Sequence, residues 1–284
     1  MSKIIGAVEI GTSKAKALIG EVSENSVINV VGMASRLNEG MRKGEIVDFR
    51  KVASAVHSAL EDAEKMSGTT VDEVYLAQTG SHLKGHMLQG SASVSSSQNR
   101  VDAEDLQRAA QEAKRKQPEP GRTYVHHVRT PILLDGRMVQ DPVGMIGSKV
   151  DLGYWSIDGD EQAIKQALHV IHNYSVEVKD LILSSIASST MMAGPDLRRA
   201  GTLVIDMGAG VTDFALYRQG FVVKTGVIPV GGDHVTGDLS MGLRVLEPYA
   251  EKLKVEHGNA LPDEIHEGED VWIIGNKTIG DRKV

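Results

Sequence analysis

The sequence predicts an α/β chain of duplicated βββ–α units, with a small αβ subdomain inserted late in the first unit. Three observations carry this prediction. The stretch "VIDMGAGVTDFALY" (residues 204–217) repeats the grammar of "AVEIGTSKAKALIGEV" (residues 7–22): an apolar strand ending in an acid, a turn of glycines and hydroxyls, then an alternating strand. A third short strand follows each pair, at 27–33 and at 221–228. Residues 80–158 then break the pattern with turn, helix and hairpin signals of their own.

The elements follow in order. After the first three strands, Asp48 suits a helix N-cap. Val52, Val56, Leu60, Ala63 and Met66 recur at helical spacing, and Gly68 suits the stop. Only residues 34–47 separate strand from helix, too few for a further subdomain. A strand at 74–79 ("VYLAQT") comes next. The inserted segment reads as a serine-rich loop ("SASVSSSQNR"), a helix at 102–116 and a "PEPG" breaker. A strand pair around Asp135–Gly136 and the run "DPVGMIGSKVDLGYWSI" complete it. A helix at 161–173 and a strand at 179–185 resume the main pattern, which closes without the insert. Five segments result: a first core at 1–80, the insert at 81–158, the completion of the first core at 159–200, a second core at 201–240, and an incomplete fourth subdomain at 241–284.

Composition narrows the chemistry. The chain has 284 residues, 41% of them hydrophobic, and a net charge of −7. That charge offers no basic face for a phosphate backbone, so nucleic acid is not an expected partner. There is no cysteine, hence no disulfide frame and no thiolate metal site. The opening "MSKIIGAVEIGTS" lacks the pattern of a signal peptide, and the run at 181–194 is too short and serine-rich to span a bilayer. These features predict a cytosolic chain.

The two turns carry the candidate chemistry. Gly208 and Gly210, flanking Ala209, are expected at φ > 0, so that successive N–H groups form an anion-binding concavity with Thr212 as a hydroxyl donor. Asp206 and Asp213 would repel bare phosphate. They fit if a divalent cation sits between carboxylate and phosphate, directly or through its waters. One such turn reads equally as a tight hairpin with surface acids. The second copy, with Glu9, Gly11, Thr12 and Ser13, favours a clamp that grips a polyphosphate from both sides. Lys14 and Lys16 share one strand face; one meets a phosphate, or both are exposed strand lysines. His126 and His127 are adjacent and would point to opposite strand faces, which argues against a shared ion. Trp155 and Trp272 read as packing residues.

The stretches "EIGTSK", "GMRKGEIVD", "VYLAQTGSHL", "DPVGMIG", "VIDMGAGVTDFALY", "IPVGGDHVTGDL" and "AEKLKVEHGNA" together resemble the FtsA family of actin-like bacterial cell-division proteins. The resemblance runs along essentially the whole chain, and "DPVGMIG" is its most specific part. It implies an actin-like ATPase fold with ATP and Mg²⁺ as cofactors; slow hydrolysis at most is expected, because residues 183–190 ("LSSIASST") offer only hydroxyls where related ATPases carry a longer Gln or Glu. The first phosphate motif would be Glu9 to Lys14 and the second Asp206 to Asp213. Mg²⁺ would lie near Glu9, Asp206 and Asp213, held through water. Gly231, Gly232 and Asp233, opening a helix, would meet phosphate or ribose. Glu251 and Lys254 would flank the adenosine, unless they form an ordinary surface ion pair.

The resemblance further implies a head-to-tail polymer that tethers FtsZ to the cytoplasmic face of the membrane at the division site. Later division proteins would dock on the insert. Two features depart from the family pattern: Glu9 replaces the usual Asp, and Asp233 the more frequent Asn. The chain stops at "VWIIGNKTIGDRKV", before the family's later adenosine motif and its C-terminal amphipathic membrane helix; a fragment or a degenerate copy is expected. The alternative function is a phosphotransferase of sugar- or acetate-kinase type, but no acid outside the two turns stands where a general base is needed. A chaperone-type ATPase would need a peptide-binding domain for which there is no length.

Overall fold

A computed structural model describes residues 3–261 and the strand pair Trp272–Ile273 and Arg282–Lys283. Strands β1 (Lys3–Ile10), β2 (Lys14–Val22) and β3 (Ile28–Leu37) form an antiparallel meander. The third strand runs on to Leu37, past the expected end at 33. Its apolar alternation fades there, but the backbone ladder to β2 continues as far as the Lys14–Leu37 pair. Strands β6 (Glu73–Gln78) and β12 (Glu177–Leu183) add in parallel to β1, giving the order β12-β6-β1-β2-β3.

Helix α1 (Phe49–Ser67) starts and stops where its sequence says. The Asp48 carboxylate accepts from the Arg50 and Lys51 N–H groups at 3.1 and 3.2 Å, and Gly68 closes the helix at φ 67°. Its apolar stripe, with Val52, Val56 and Leu60, packs against Val8, Ala17 and Ile19 of the sheet and against Val170 and Ile171 of α3 (Glu161–His172). Truncating a side chain buried this completely, Leu60 for one, costs on the order of 2–5 kcal/mol. Between β3 and α1 lies a feature not read from the sequence: a miniature hairpin of β4 (Met41–Arg42) and β5 (Glu45–Ile46).

The insert is more strand-rich than expected. Strand β7 (Lys84–Ser93) takes in the start of the serine-rich stretch, which therefore is not all loop. The twelve-residue strand β11 (Lys149–Asp160) pairs with β7 and with β8 (Arg122–Arg129). Strands β9 (Ile132–Leu134) and β10 (Arg137–Val139) turn through Asp135 and Gly136, both at positive φ as a tight hairpin requires. Helix α2 (Ala103–Lys114) opens with a reciprocal cap between Asp102 and Asp105.

The distal insert has its own core, including Val101, Ala109, Ile132 and Val150. Its root does not. Leu83, Val125, Trp155 and Ile157 share a cluster with Leu183 and with Ala215, Tyr217 and Val222 of the second sheet. The main pattern thus does not close without the insert, contrary to the sequence expectation. Strand periodicity shows which face is buried but not which partner covers it.

The second sheet is the meander β13 (Thr202–Met207), β14 (Thr212–Arg218) and β15 (Phe221–Ile228), preceded by α4 (Ser184–Met192) and α5 (Pro195–Ala200). The chain divides into two compact units, 1–230 and 231–284. In the second, α6 (Gly232–Leu243) packs with α7 (Glu247–His257), and β16 (Trp272–Ile273) pairs with β17 (Arg282–Lys283). Residue 240, an expected boundary, lies inside α6. The side chain of Trp272 lies outside the described residues. Among the described residues no helix is long and apolar enough to cross a membrane.

Candidate functional site

Loop 1, between β1 and β2, and loop 2, between β13 and β14, close in the same way. The Gly11 N–H donates to the Lys14 carbonyl at 3.0 Å, and the Gly208 N–H donates to the Val211 carbonyl at 2.9 Å. The sequence repeat is therefore a repeat of backbone hydrogen bonding. The loops border one cavity of about 260 Å³, lined by Gly11, Thr12, Ser13 and Lys14 from one side and by Gly208 and Ala209 from the other. Glu9, Asp206 and Asp213 also line it.

Two glycine expectations change. Neither Gly208 nor Gly210 has positive φ. Gly210 is required by proximity instead: a methyl group there would lie 2.7 Å from the Thr12 side chain and 3.0 Å from the Lys43 nitrogen. Loop 2 thus touches loop 1 and the tip of the β4–β5 hairpin, and Gly210 lies on that contact rather than on the cavity wall. The Gly44 N–H completes the brace by donating to Thr12 Oγ1 at 3.1 Å. Thr212 also differs from its expected role. Its hydroxyl donates to the Val230 carbonyl at 2.7 Å, so that proton is committed within unit one.

The acids divide by partner. Asp206 and Asp213 face each other in register across β13 and β14. Asp206 accepts from Ser188 Oγ at 2.5 Å. Asp213 is only 4% exposed and accepts from Thr79 Oγ1 at 2.6 Å, while its second oxygen is buried without a partner. Burial pushes the Asp213 carboxyl up to about 6; the Thr79 hydroxyl opposes the shift and the charges of Asp206 and Glu9 add to it. A buried, unpartnered carboxylate oxygen beside two more acids fits a cation. Among the described residues no three acid or imidazole groups converge closely enough to hold an ion directly, so the fit is to a hydrated one. Glu9 meanwhile pairs with Lys16 at 2.9 Å, its cross-strand neighbour, which leaves Lys14 as the lysine at the cavity without an ion pair among the described residues.

Several supporting residues were not read from the sequence. Asn38, 3% exposed, holds loop 1 by donating from Nδ2 to the Gly11 carbonyl at 2.9 Å, and its backbone N–H donates to Ser13. Thr79 aims Asp213, and the buried hydroxyl of Ser184, without a partner, lines the cavity. No local motif announces Asn38 or Thr79, because each acts across a long sequence separation. His126 and His127 face opposite neighbours: His127 Nδ1 lies 2.7 Å from Ser156 Oγ, and burial holds both imidazoles below their usual range.

In the second unit, Gly231 and Gly232 open α6, with Asp233 exposed on its first turn. Lys254 Nζ donates to the Gly232 carbonyl at 3.2 Å and to Thr236 Oγ1 at 2.9 Å, and pairs with Glu251 at 2.6 Å. The Lys254 ammonium, and after it the Thr236 hydroxyl, hold the Glu251 carboxyl below its usual range. The Glu251–Lys254 pair is thus tied to the start of α6 rather than being an isolated surface contact; Thr236, absent from the sequence expectation, is the link.

A family model described as cell division protein FtsA matches residues 203–284, and one described as the SHS2 domain inserted in FtsA matches residues 80–157. The cell division protein FtsA of Neisseria meningitidis is 32% identical over 281 residues, covering 99% of the chain and 67% of that protein. The Bacillus subtilis and Escherichia coli proteins of the same name are 29% and 30% identical, each over 95% of the chain. The chain spans between 62% and 67% of the length of these relatives. Among solved structures, a PilM–PilN type IV pilus biogenesis complex aligns with a TM-score of 0.63 at 20% identity, over 89% of this chain and 70% of that one. MreB5 of Spiroplasma citri, bound to ADP, aligns at 0.52 and 14% identity, over 99% and 71%. These likenesses place the chain in the actin-like ATPase fold.

Proposed function

The chain belongs to the FtsA family of cell division proteins, and from that premise we propose that it is the phosphate-gripping part of an ATP-binding division protein. The single observation that carries the proposal is the pair of loops with matching closure bonds that border one cavity around the buried, half-unpartnered Asp213. ATP would place its phosphate chain between loop 1 and loop 2. Asp213 and Asp206 would hold Mg²⁺ through its waters, and the cation would neutralise the charge that otherwise repels phosphate. Lys14 would add a positive charge from the side of β2. The MreB5 neighbour was solved with ADP, which supports a nucleotide here as well.

Hydrolysis would be slow. The first turns of α4 offer the short hydroxyls of Ser184, Ser185 and Ser188, none long enough to position water as a carboxylate or amide would. Nucleotide would then act as a conformational ligand that favours the closed cleft. For the whole protein we propose head-to-tail polymerisation, attachment to the cytoplasmic membrane and tethering of FtsZ, with the insert serving protein contacts. Isothermal titration with ATP and Mg²⁺, together with electron microscopy of the whole protein on lipid monolayers, tests this reading. Saturable one-to-one binding and nucleotide-dependent filaments support it. Absence of binding overturns it.

A further inference from the structure

A larger cavity, of about 420 Å³, lies beside the one between the phosphate loops, with Thr79 on the wall of both, and has no role in the function proposed above. It opens at the C-terminal ends of the parallel strands β1 and β6, beneath the first turns of α3, where open α/β sheets tend to place ligands. Its volume falls in the range of roughly 300–1,000 Å³ usual for small-molecule sites. The floor is apolar, with Ile10, Ile46 and Ala77.

The polar wall is specific. Gln78 occupies a core-facing position of β6 and is 4% exposed, yet among the described residues its amide makes no hydrogen bond. Its amide atoms are not among the fully buried ones, so the little surface that Gln78 exposes lies toward the cavity, where donor and acceptor are both free to meet a ligand. Gln162 and Gln166 of α3 add two further amides.

The charge is one-sided. Glu45 and Asp160 line the cavity, neither forms an ion pair among the described residues, and no lysine or arginine lines it. His82 does not compensate. Its Nδ1 accepts the Asp160 N–H at 3.3 Å, and burial lowers its proton affinity, which works against a charged ring. Arg122, which also acts on His82, is tied to Asp158 and to the His82 carbonyl.

We propose that this cavity binds a guanidinium group carried on a short aliphatic stem, with the stem on Ile10 and Ile46 and the planar head meeting Gln78, Glu45 and Asp160. A guanidinium presents five donors in one plane, which suits amide oxygens and carboxylates spread around a wall better than a compact ammonium does. It is also more weakly hydrated than an ammonium, so it enters a partly apolar cavity at lower cost.

The test uses agmatine as the free probe and a short peptide with one central arginine as the protein-borne one. Binding is read from the side-chain amide signals of Gln78 in ¹⁵N NMR spectra of the chain, assigned through Gln78→Leu. Agmatine should shift these signals saturably. Putrescine, with the same stem but an ammonium head, should bind more weakly. Glu45→Gln, on an exposed hairpin position, should weaken agmatine about tenfold, the size of one lost charge-assisted contact. Ala163→Met should fill the cavity and abolish binding while circular dichroism stays unchanged. A peptide that shifts Gln78 assigns the site to a partner's arginine; agmatine alone doing so assigns it to a small molecule, and either supports the proposal. Unshifted Gln78 signals, equal affinity for putrescine, or an unaffected Glu45→Gln would overturn it.

Discussion

Asp213 carries a carboxyl pushed up to about 6 by burial, with Asp206 and Glu9 adding to the effect. An unfolded aspartate titrates near 3.9, so the native state holds the proton more tightly. The stability this group contributes is therefore present in full below about pH 4 and is lost as pH rises through 6. Asp213→Asn, which keeps an acceptor for the Thr79 hydroxyl, should flatten the stability profile across that window. It should raise stability at pH 7 by up to about 3 kcal/mol; urea unfolding at a series of pH values checks both. Gly210 gives a second residue-scale prediction. A valine there meets Thr12 and Lys43 rather than the phosphates, so Gly210→Val should cost about 1–3 kcal/mol of stability by overpacking even without nucleotide. Thermal unfolding of the nucleotide-free variant checks it, and an unchanged midpoint would mean that the loops are not in contact. The sequence marked Gly210 through its motif, but only the folded chain says what it touches. Asn38 and Thr79 were not legible at all, because an isolated polar residue between strands gives no sign of the loop it will hold.

Among the elements, those with local codes were readable. Helix α1 showed its cap, stripe and stop, and Asp48→Ala should lower stability by about 1 kcal/mol in urea unfolding. The insert was harder, because its long strands take their meaning from partners far away in sequence. Trp155 shows why. It sits in β11 of the insert, yet donates from Nε1 to Thr225 Oγ1 of the second sheet at 2.9 Å and packs near Tyr217 and Val222. Trp155→Phe should cost about 1 kcal/mol through the lost bond, and Trp155→Ala about 3–5 kcal/mol through the void. Faster hydrogen exchange in β14 and β15 would accompany the larger loss. For the same reason a deletion of residues 81–157, which the sequence alone suggests would be tolerated, is expected to abolish cooperative unfolding by circular dichroism. Removing the insert removes Leu83, Val125, Trp155 and Ile157 from a shared core.

At the scale of the whole molecule, the duplication was the most legible feature, since both copies spell out strand, turn and strand within a short window and both fold to the same closure bond. In the function proposed above, what the duplication is for rests on a cation between the loops. The most direct test is the ATP affinity, measured by isothermal titration with and without Mg²⁺, of the chain and of Asp213→Asn. The account predicts that Mg²⁺ tightens ATP by at least about tenfold in the unaltered chain, a difference of about 1.4 kcal/mol, and that this gain disappears in the variant. An equal gain in both would contradict it, because the cation would then be held somewhere other than between the two loops.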